Sequence, residues 1–156
     1  MPANDTYILF QLDAALYGIP SAEVQHIDMI EHVTPVPNTA PAVDGVVFSR
    51  GQVVPAINLR VRFGMTREAY TPRTRLIFLR VKDRVVALIV DSAREFRHLD
   101  AQSVKPVDHA LLGLAGRFVT GVATVQQRSV LLLNLDAVLT LEEVTVPPSA
   151  PAVPST

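Results

Sequence analysis

Short apolar runs rich in β-branched residues, broken by turn residues at a spacing of roughly 8–12 positions, dominate the chain and predict a mainly β protein. Tyr7 to Leu12 reads as a first strand, Asp13-Ala14-Ala15 as its turn and Leu16 to Pro20 as the return. Ser21 either caps a short helical turn or begins a further strand through Val24 and Ile27. Gly45 to Ser49 and Gln52 to Asn58 flank an Arg-Gly turn, a hairpin expected to be buried on both faces with Arg50 held at its tip. Leu76 to Val81 and Val85 to Val90 predict another hairpin about Lys82-Asp83-Arg84, and Arg117 to Val125 with Ser129 to Leu133 a third about Gln126-Gln127-Arg128. Asn134 is placed to cap a short C-terminal helix over Leu135 to Leu141. Pro55 interrupts a strand-like run without an amide hydrogen, which predicts an edge strand or a bulge there. Leu111 to Gly116 reads as a loop or a single helical turn, and the Pro- and Ser-rich stretch 147–156 as a flexible tail.

The pattern repeats. Displaced by 76 residues, Gly45 falls on Gly121, Val46 on Val122, Val54 on Val130, Asn58 on Asn134 and Leu59 on Leu135. Leu9 to Ile19 likewise resembles Phe78 to Leu88. The expectation is one domain, 1–146, made of two related halves, about 6–70 and 71–146, each a small five-stranded barrel. Barrels this small must pack on a shared core, and the seam between them is a groove.

Composition narrows the function. Apolar residues make up 49% of the chain and charged ones 19%, so it is globular rather than disordered. Without cysteine there is neither a disulfide framework nor a thiolate metal site. No apolar run reaches the roughly 18 residues of a membrane span, and the N-terminus lacks a signal-peptide pattern, so a cytoplasmic protein with no direct membrane insertion is expected. A net charge of −1 argues against a dedicated nucleic-acid binder. That total hides an asymmetry: residues 1–49 hold six acids and no Lys or Arg, whereas residues 50–97 hold eleven basic residues against four acids. Such a bipolar surface steers charged protein partners.

Catalytic signatures are missing. The chain has no nucleophile elbow, Walker-type loop or dinucleotide fingerprint, and Gly113-Leu114-Ala115-Gly116 is a turn rather than a phosphate cradle. His26, Asp28 and His32 share one side of an extended segment, but a fourth metal ligand is lacking and a solvated edge explains them better. His98 and His109 have no evident partner. Arg73, Arg75, Arg80, Lys82 and Arg84 offer a basic strip for nucleic acid, yet Phe78 beside them sits in an apolar run and belongs to a core rather than to a stacking platform. No enzyme, cofactor or metal site is predicted. Arg50 is either a surface turn arginine or a partly buried guanidinium binding loop carbonyls or a carboxylate. Asp91, directly after an apolar run, should be paired or cap a turn.

The ordered set Tyr17-Gly18-Ile19, Val24-Gln25-His26-Ile27, Pro37-Asn38 to Pro41, Gly45-Val46, Arg50-Gly51, Pro55 with Leu59, Val90-Asp91, Gly121-Val122 and Asn134-Leu135 resembles the CheW family of chemotaxis coupling proteins from about Thr6 to Val144. The resemblance implies a fold of two SH3-like barrels with short helical segments, and a non-enzymatic adaptor, monomeric by itself. Its implied partners are the cytoplasmic tip of a transmembrane chemoreceptor and the regulatory domain of a CheA-type histidine kinase, in membrane-associated receptor arrays. By matched position, Val24, His26, Ile27, Gly45, Arg50, Leu76 and Phe96 are receptor-groove candidates. Gly51, Gln52, Val54, Lys82, Asp83 and Arg84 are kinase-interface candidates, with Asn58, Asp91, Gly121 and Asn134 structural. His26 replaces a usual acid, Asn58 a usual Asp and Ser49 a common Leu or Met. The lost acid implies a different receptor tip, or a divergent scaffold of a pilus or gliding chemosensory system that binds kinase alone.

Overall fold

Alternation along the apolar runs sends neighbouring side chains into different cores, and this organises the molecule. In chain order the elements are β1 (Asn4–Leu12), β2 (Ala15–Pro20), β3 (Val24–Met29), β4 (Val43–Ser49), β5 (Gln52–Asn58), α1 (Leu59–Arg62), β6 (Arg75–Val81), β7 (Arg84–Val90), β8 (Ser92–Asp100), β9 (Val104–Lys105), β10 (Val119–Val125), β11 (Arg128–Leu133) and α2 (Leu135–Leu139). The computed structural model describes residues 4–107 and 113–140. His109, Leu111 and the 147–156 tail lie outside the described residues.

The strands form two sheets, β8-β1-β2-β11-β10-β9 and β3-β6-β7-β5-β4. On β1, Ile8, Phe10 and Leu12 face a large core shared by both sheets, while Leu9 faces a smaller core within its own. On β6, Ile77 and Leu79 join the shared core, and Leu76 and Phe78 fill the second sheet's own. Burial on both faces is why these strands read as continuous apolar runs. Leu59 of α1, Phe63 just after it, and Leu135, Val138 and Leu139 of α2 join the shared core.

The repeat survives in the register. Gly45 pairs with Ala56 and Val47 with Val54; 76 residues on, Gly121 pairs with Leu132 and Ala123 with Val130. Each copy has a bulge in the same place, between Val43 and Gly45 and between Val119 and Gly121. The turns match as well: Asp13 and Lys82 have positive φ in the first hairpins, as do Arg50-Gly51 and Gln126-Gln127 in the second. The halves, however, do not each close their own sheet. β3, from the first half, pairs with β6 of the second, and β8 pairs back onto β1. This exchange seats each first hairpin between two strands of the other half, β1–β2 between β8 and β11 and β6–β7 between β3 and β5, which covers both of its edges.

Other expectations need adjusting. β5 lies between β7 and β4 and is therefore not an edge, and the bulge is not at Pro55. Pro55 instead sits one residue before the parallel ladder to β7 begins at Ala56, so its missing donor falls outside that ladder. The strand expected from Arg117 begins at Val119, after a 3₁₀ turn over Gly113–Phe118. The β4–β5 hairpin is not buried on both faces: near its tip, Phe48 is 73% and Val53 58% exposed.

Candidate functional site

β3 and β4 are the two ends of the second sheet, and His26 bridges them. The bulge between Val24 and His26 sets the imidazole against Phe78 of β6, its register partner. The rings stack 4.2 Å apart at 12°. Nε2 lies 3.3 Å from Asp28 Oδ2 on the same strand and 3.4 Å from Ser49 Oγ on β4. Nδ1 is buried without a hydrogen-bond partner. A cavity opens on each side of this bridge, and both share Ser49 and Phe78. One, about 450 Å³, is lined by Met29, Val47, Phe48 and Leu76 with Asp28 and Glu31. The other, about 350 Å³, is lined by His26, Arg50 and Arg80 with Gln25, Gln52 and Val54.

The receptor-groove candidates therefore divide. His26, Leu76 and Arg50 converge on these cavities. Val24 and Ile27, on the same strand as His26, pack against the shared core. Gly45 is buried at the β4 bulge, where an added Cβ would lie 2.1 Å from the Thr34 carbonyl oxygen, so its role there is to admit the backbone of residues 34–35. Phe96 stands on β8 of the other sheet, 63% exposed. Among the kinase candidates, Gln52 and buried Val54 line the second cavity, and Gly51 sits at the tip with open space above it. Lys82 and Asp83 form the β6–β7 turn before Arg84; Lys82 reaches Asp136 at only 3.8 Å, with both side chains exposed, a contact of little energetic weight.

Arg50 is exposed, with φ 52°, so the surface-turn reading holds and the partly buried one does not. His32 lines the first cavity beside Asp28, but among the described residues no three metal-ligating side chains converge. Phe48, Val53 and Met29 were not singled out from the sequence. The signal was the two-residue period: Val47 faces inward, so Phe48 and its cross-strand partner Val53 face outward.

The structural residues behave as their chemistry demands. Asp91 accepts from Arg60 Nε at 2.8 Å and Nη2 at 2.7 Å, and from the Asp13 amide at 2.7 Å. Burial pushes its carboxyl upward, but the Arg60 and Asp13 hydrogen bonds outweigh that and hold it below the ordinary aspartate value. It thus ties the β1–β2 turn to α1 across the two sheets. Asn58 and Asn134 each cap the helix that follows, accepting from the Val61 and Ala137 amides. Buried Asn58 also donates to Asp44, whose carboxylate accepts from Arg67 and Tyr70 as well. Burial, then this hydrogen bond and the nearby carboxylate charge, raise the Tyr70 hydroxyl pKa. An aspartate at 58 could not donate to Asp44, which accounts physically for the amide at this position. Buried Gly121 lets β9 approach: an added Cβ would lie 2.7 Å from Val104 Cγ1.

Residues 6–143 match the family described as the CheW-like domain. The chain belongs to that family. Chemotaxis protein CheW of Klebsiella aerogenes is 31% identical over 140 residues, covering 90% of this chain and 84% of that protein. Protein FrzA of Myxococcus xanthus is 29% identical over 138 residues, covering 85% and 84%. In fold, the chain resembles the crystal structure of the scaffolding protein TtCheW from Thermoanaerobacter tengcongensis, with a TM-score of 0.82 over 92% of this chain and 96% of that one, at 24% identity. The two sheets here share one core, and the Arg50-Gly51 turn joins β4 to β5. No helix among the described residues is long and apolar enough to cross a membrane.

Proposed function

We propose that this protein is a non-enzymatic chemotaxis coupling adaptor, holding the cytoplasmic tip of a chemoreceptor and the regulatory domain of a CheA-type histidine kinase in one assembly. Family membership supports the class of function. The observation that carries the reading to a surface is the exposed pair Phe48 and Val53, contiguous through the first cavity with Met29. Large apolar side chains grouped on a soluble surface mark a protein contact. Receptor helices are assigned to the His26–Leu76 side of the bridge and the kinase to the outer hairpin turns. Recruitment to membrane-associated arrays follows from receptor binding rather than from insertion.

The test is reconstitution. Receptor-bearing vesicles, a CheA-type kinase and the full chain are sedimented together, and kinase autophosphorylation is followed. Kinase that sediments only when this protein is present supports coupling. Kinase left in the supernatant, with this protein bound to neither component, overturns it.

A further inference from the structure

We propose that the cavity beneath the Arg50-Gly51 turn is a socket for a glutamate or aspartate side chain carried by the partner segment that docks over Phe48. This rests on the coupling reading and specifies the chemistry of the partner.

Unspent charge marks this cavity. Arg60, Arg62, Arg67 and Arg75 all donate to carboxylates or backbone carbonyls within the fold. Arg50 and Arg80 do not: among the described residues neither guanidinium has a hydrogen bond or ion pair. Yet both line the same cavity, and no Asp or Glu lines it with them. Two like charges flanking one cleft repel each other, and a carboxylate entering between them removes that penalty while meeting up to ten N–H donors. Gln25, Gln52 and Ser49 add neutral donors at the rim. The His26 ring forms part of the wall, with its buried Nδ1 unmet and its Nε2 turned to Asp28 and Ser49. The lining of this cavity thus presents two guanidinium groups and an imidazole, and no carboxylate.

The occupant is a protein side chain rather than a free anion because of what adjoins the socket. Across the His26–Ser49 bridge, Met29, Phe48 and Leu76 give the other cavity an apolar part, and Phe48 and Val53 stand exposed beside it. A small anion would fill the basic end and leave those side chains in water. A segment with an acidic residue next to apolar ones satisfies both, and Asp28 and Glu31 in the lining of the other cavity favour a basic or neutral residue there.

The probes are two labelled helical peptides of about 20 residues, long enough to hold helix in solution. One carries a single glutamate flanked by leucine and methionine at helical spacing, and its twin carries glutamine instead. Fluorescence anisotropy with the full chain should show the glutamate peptide binding roughly tenfold more tightly. In R50Q/R80Q, whose altered side chains are both exposed, that discrimination should vanish, the glutamate peptide falling to the affinity of its twin. Phe48→Ser should weaken both peptides alike. Equal or absent binding of the two peptides to the unaltered chain overturns the socket, as does discrimination that survives R50Q/R80Q. If reconstitution succeeds while the peptides bind equally, the socket fails and coupling stands. Discrimination without kinase recruitment supports the socket and removes the coupling reading.

Discussion

The hairpins β4–β5 and β10–β11 are built on one plan and present different surfaces. Both share the register, the bulge, a turn with two consecutive positive φ angles and an asparagine cap on the helix that follows. Their outward pairs differ: Phe48 opposite Val53 in the first, Thr124 opposite Ser129 in the second. Their turns differ as well, Arg50-Gly51 against Gln126-Gln127. Their third neighbours also diverge, a single bridge at Thr34 against the two-residue β9. What the copies share makes the fold; what they do not share is available for function. That difference is why the interaction surface is proposed on the first hairpin and not on the second.

The largest contrast should come at the glycines that admit the third strand. Gly45 has φ +151° and would press a Cβ onto backbone, whereas the nearest obstacle to Gly121 is the Val104 side chain, which can shift. Gly45→Ala should therefore destabilise by roughly 3 kcal/mol or more, and Gly121→Ala by about 1–2 kcal/mol. Urea denaturation of the two variants measures this, and equal losses would break the claim that the Thr34 bridge is the tighter approach.

A graft sharpens the functional half of the comparison. Phe48→Thr with Val53→Ser gives the first hairpin the outward pair of the second. Folding stability should stay within about 0.5 kcal/mol, because both side chains are mostly exposed. Binding to the partner seated on this face should weaken by about 2 kcal/mol, roughly 30-fold by titration calorimetry. Unchanged affinity would return the hairpin to scaffold.

The caps give a pH-dependent contrast. Asn58→Asp keeps the cap but sets a second carboxylate against Asp44, whereas exposed Asn134→Asp has no such neighbour in its hydrogen bonds. Asn58→Asp should lose roughly 1–2 kcal/mol at pH 7, and Asn134→Asp almost nothing. Like-charge crowding raises the folded pKa of the new carboxyl pair, so this destabilisation is present above that pKa and fades as pH falls through it. Melting curves at descending pH should bring Asn58→Asp back toward the parent; a constant deficit would mean the cap itself had been lost.

The sequence carried much of this architecture because the repeat is written in residues with fixed geometric duties. Gly45 and Gly121, Asn58 and Asn134 lie 76 positions apart and do the same work. What stayed hidden depends on which strand pairs with which. β8, with Arg94, Glu95, Arg97 and His98 in nine residues, pairs on one side only and shows little apolar alternation. The exchange of the hairpins β1–β2 and β6–β7 between the halves leaves no local signal at all, since either half could supply the same ladder. At the site, His26 and Arg50 were legible by resemblance, but their convergence on one cavity needed the β3–β4 closure. Arg80 stood out only as one member of a basic strip, because its lack of an acidic partner is a property of three dimensions.

The smallest effect is the most diagnostic of what a turn requires. Gln126 and Gln127 occupy φ values of 50° and 67°, a region that disfavours residues with a Cβ, where the first hairpin has glycine second at φ 78°. Gln127→Gly relieves that strain but gives the unfolded chain more freedom, so the net gain should be only about 0.5–1 kcal/mol, a rise of a few degrees in melting temperature. Gly51→Gln should lose a similar amount and no more, because a Cβ built there meets nothing within 4 Å. The fold therefore asks no more of position 51 than of 127. If Gly51→Gln also weakens partner binding while Gln127→Gly leaves it untouched, the open space above Gly51 is space the partner occupies, and glycine is there for the partner's approach rather than for the turn.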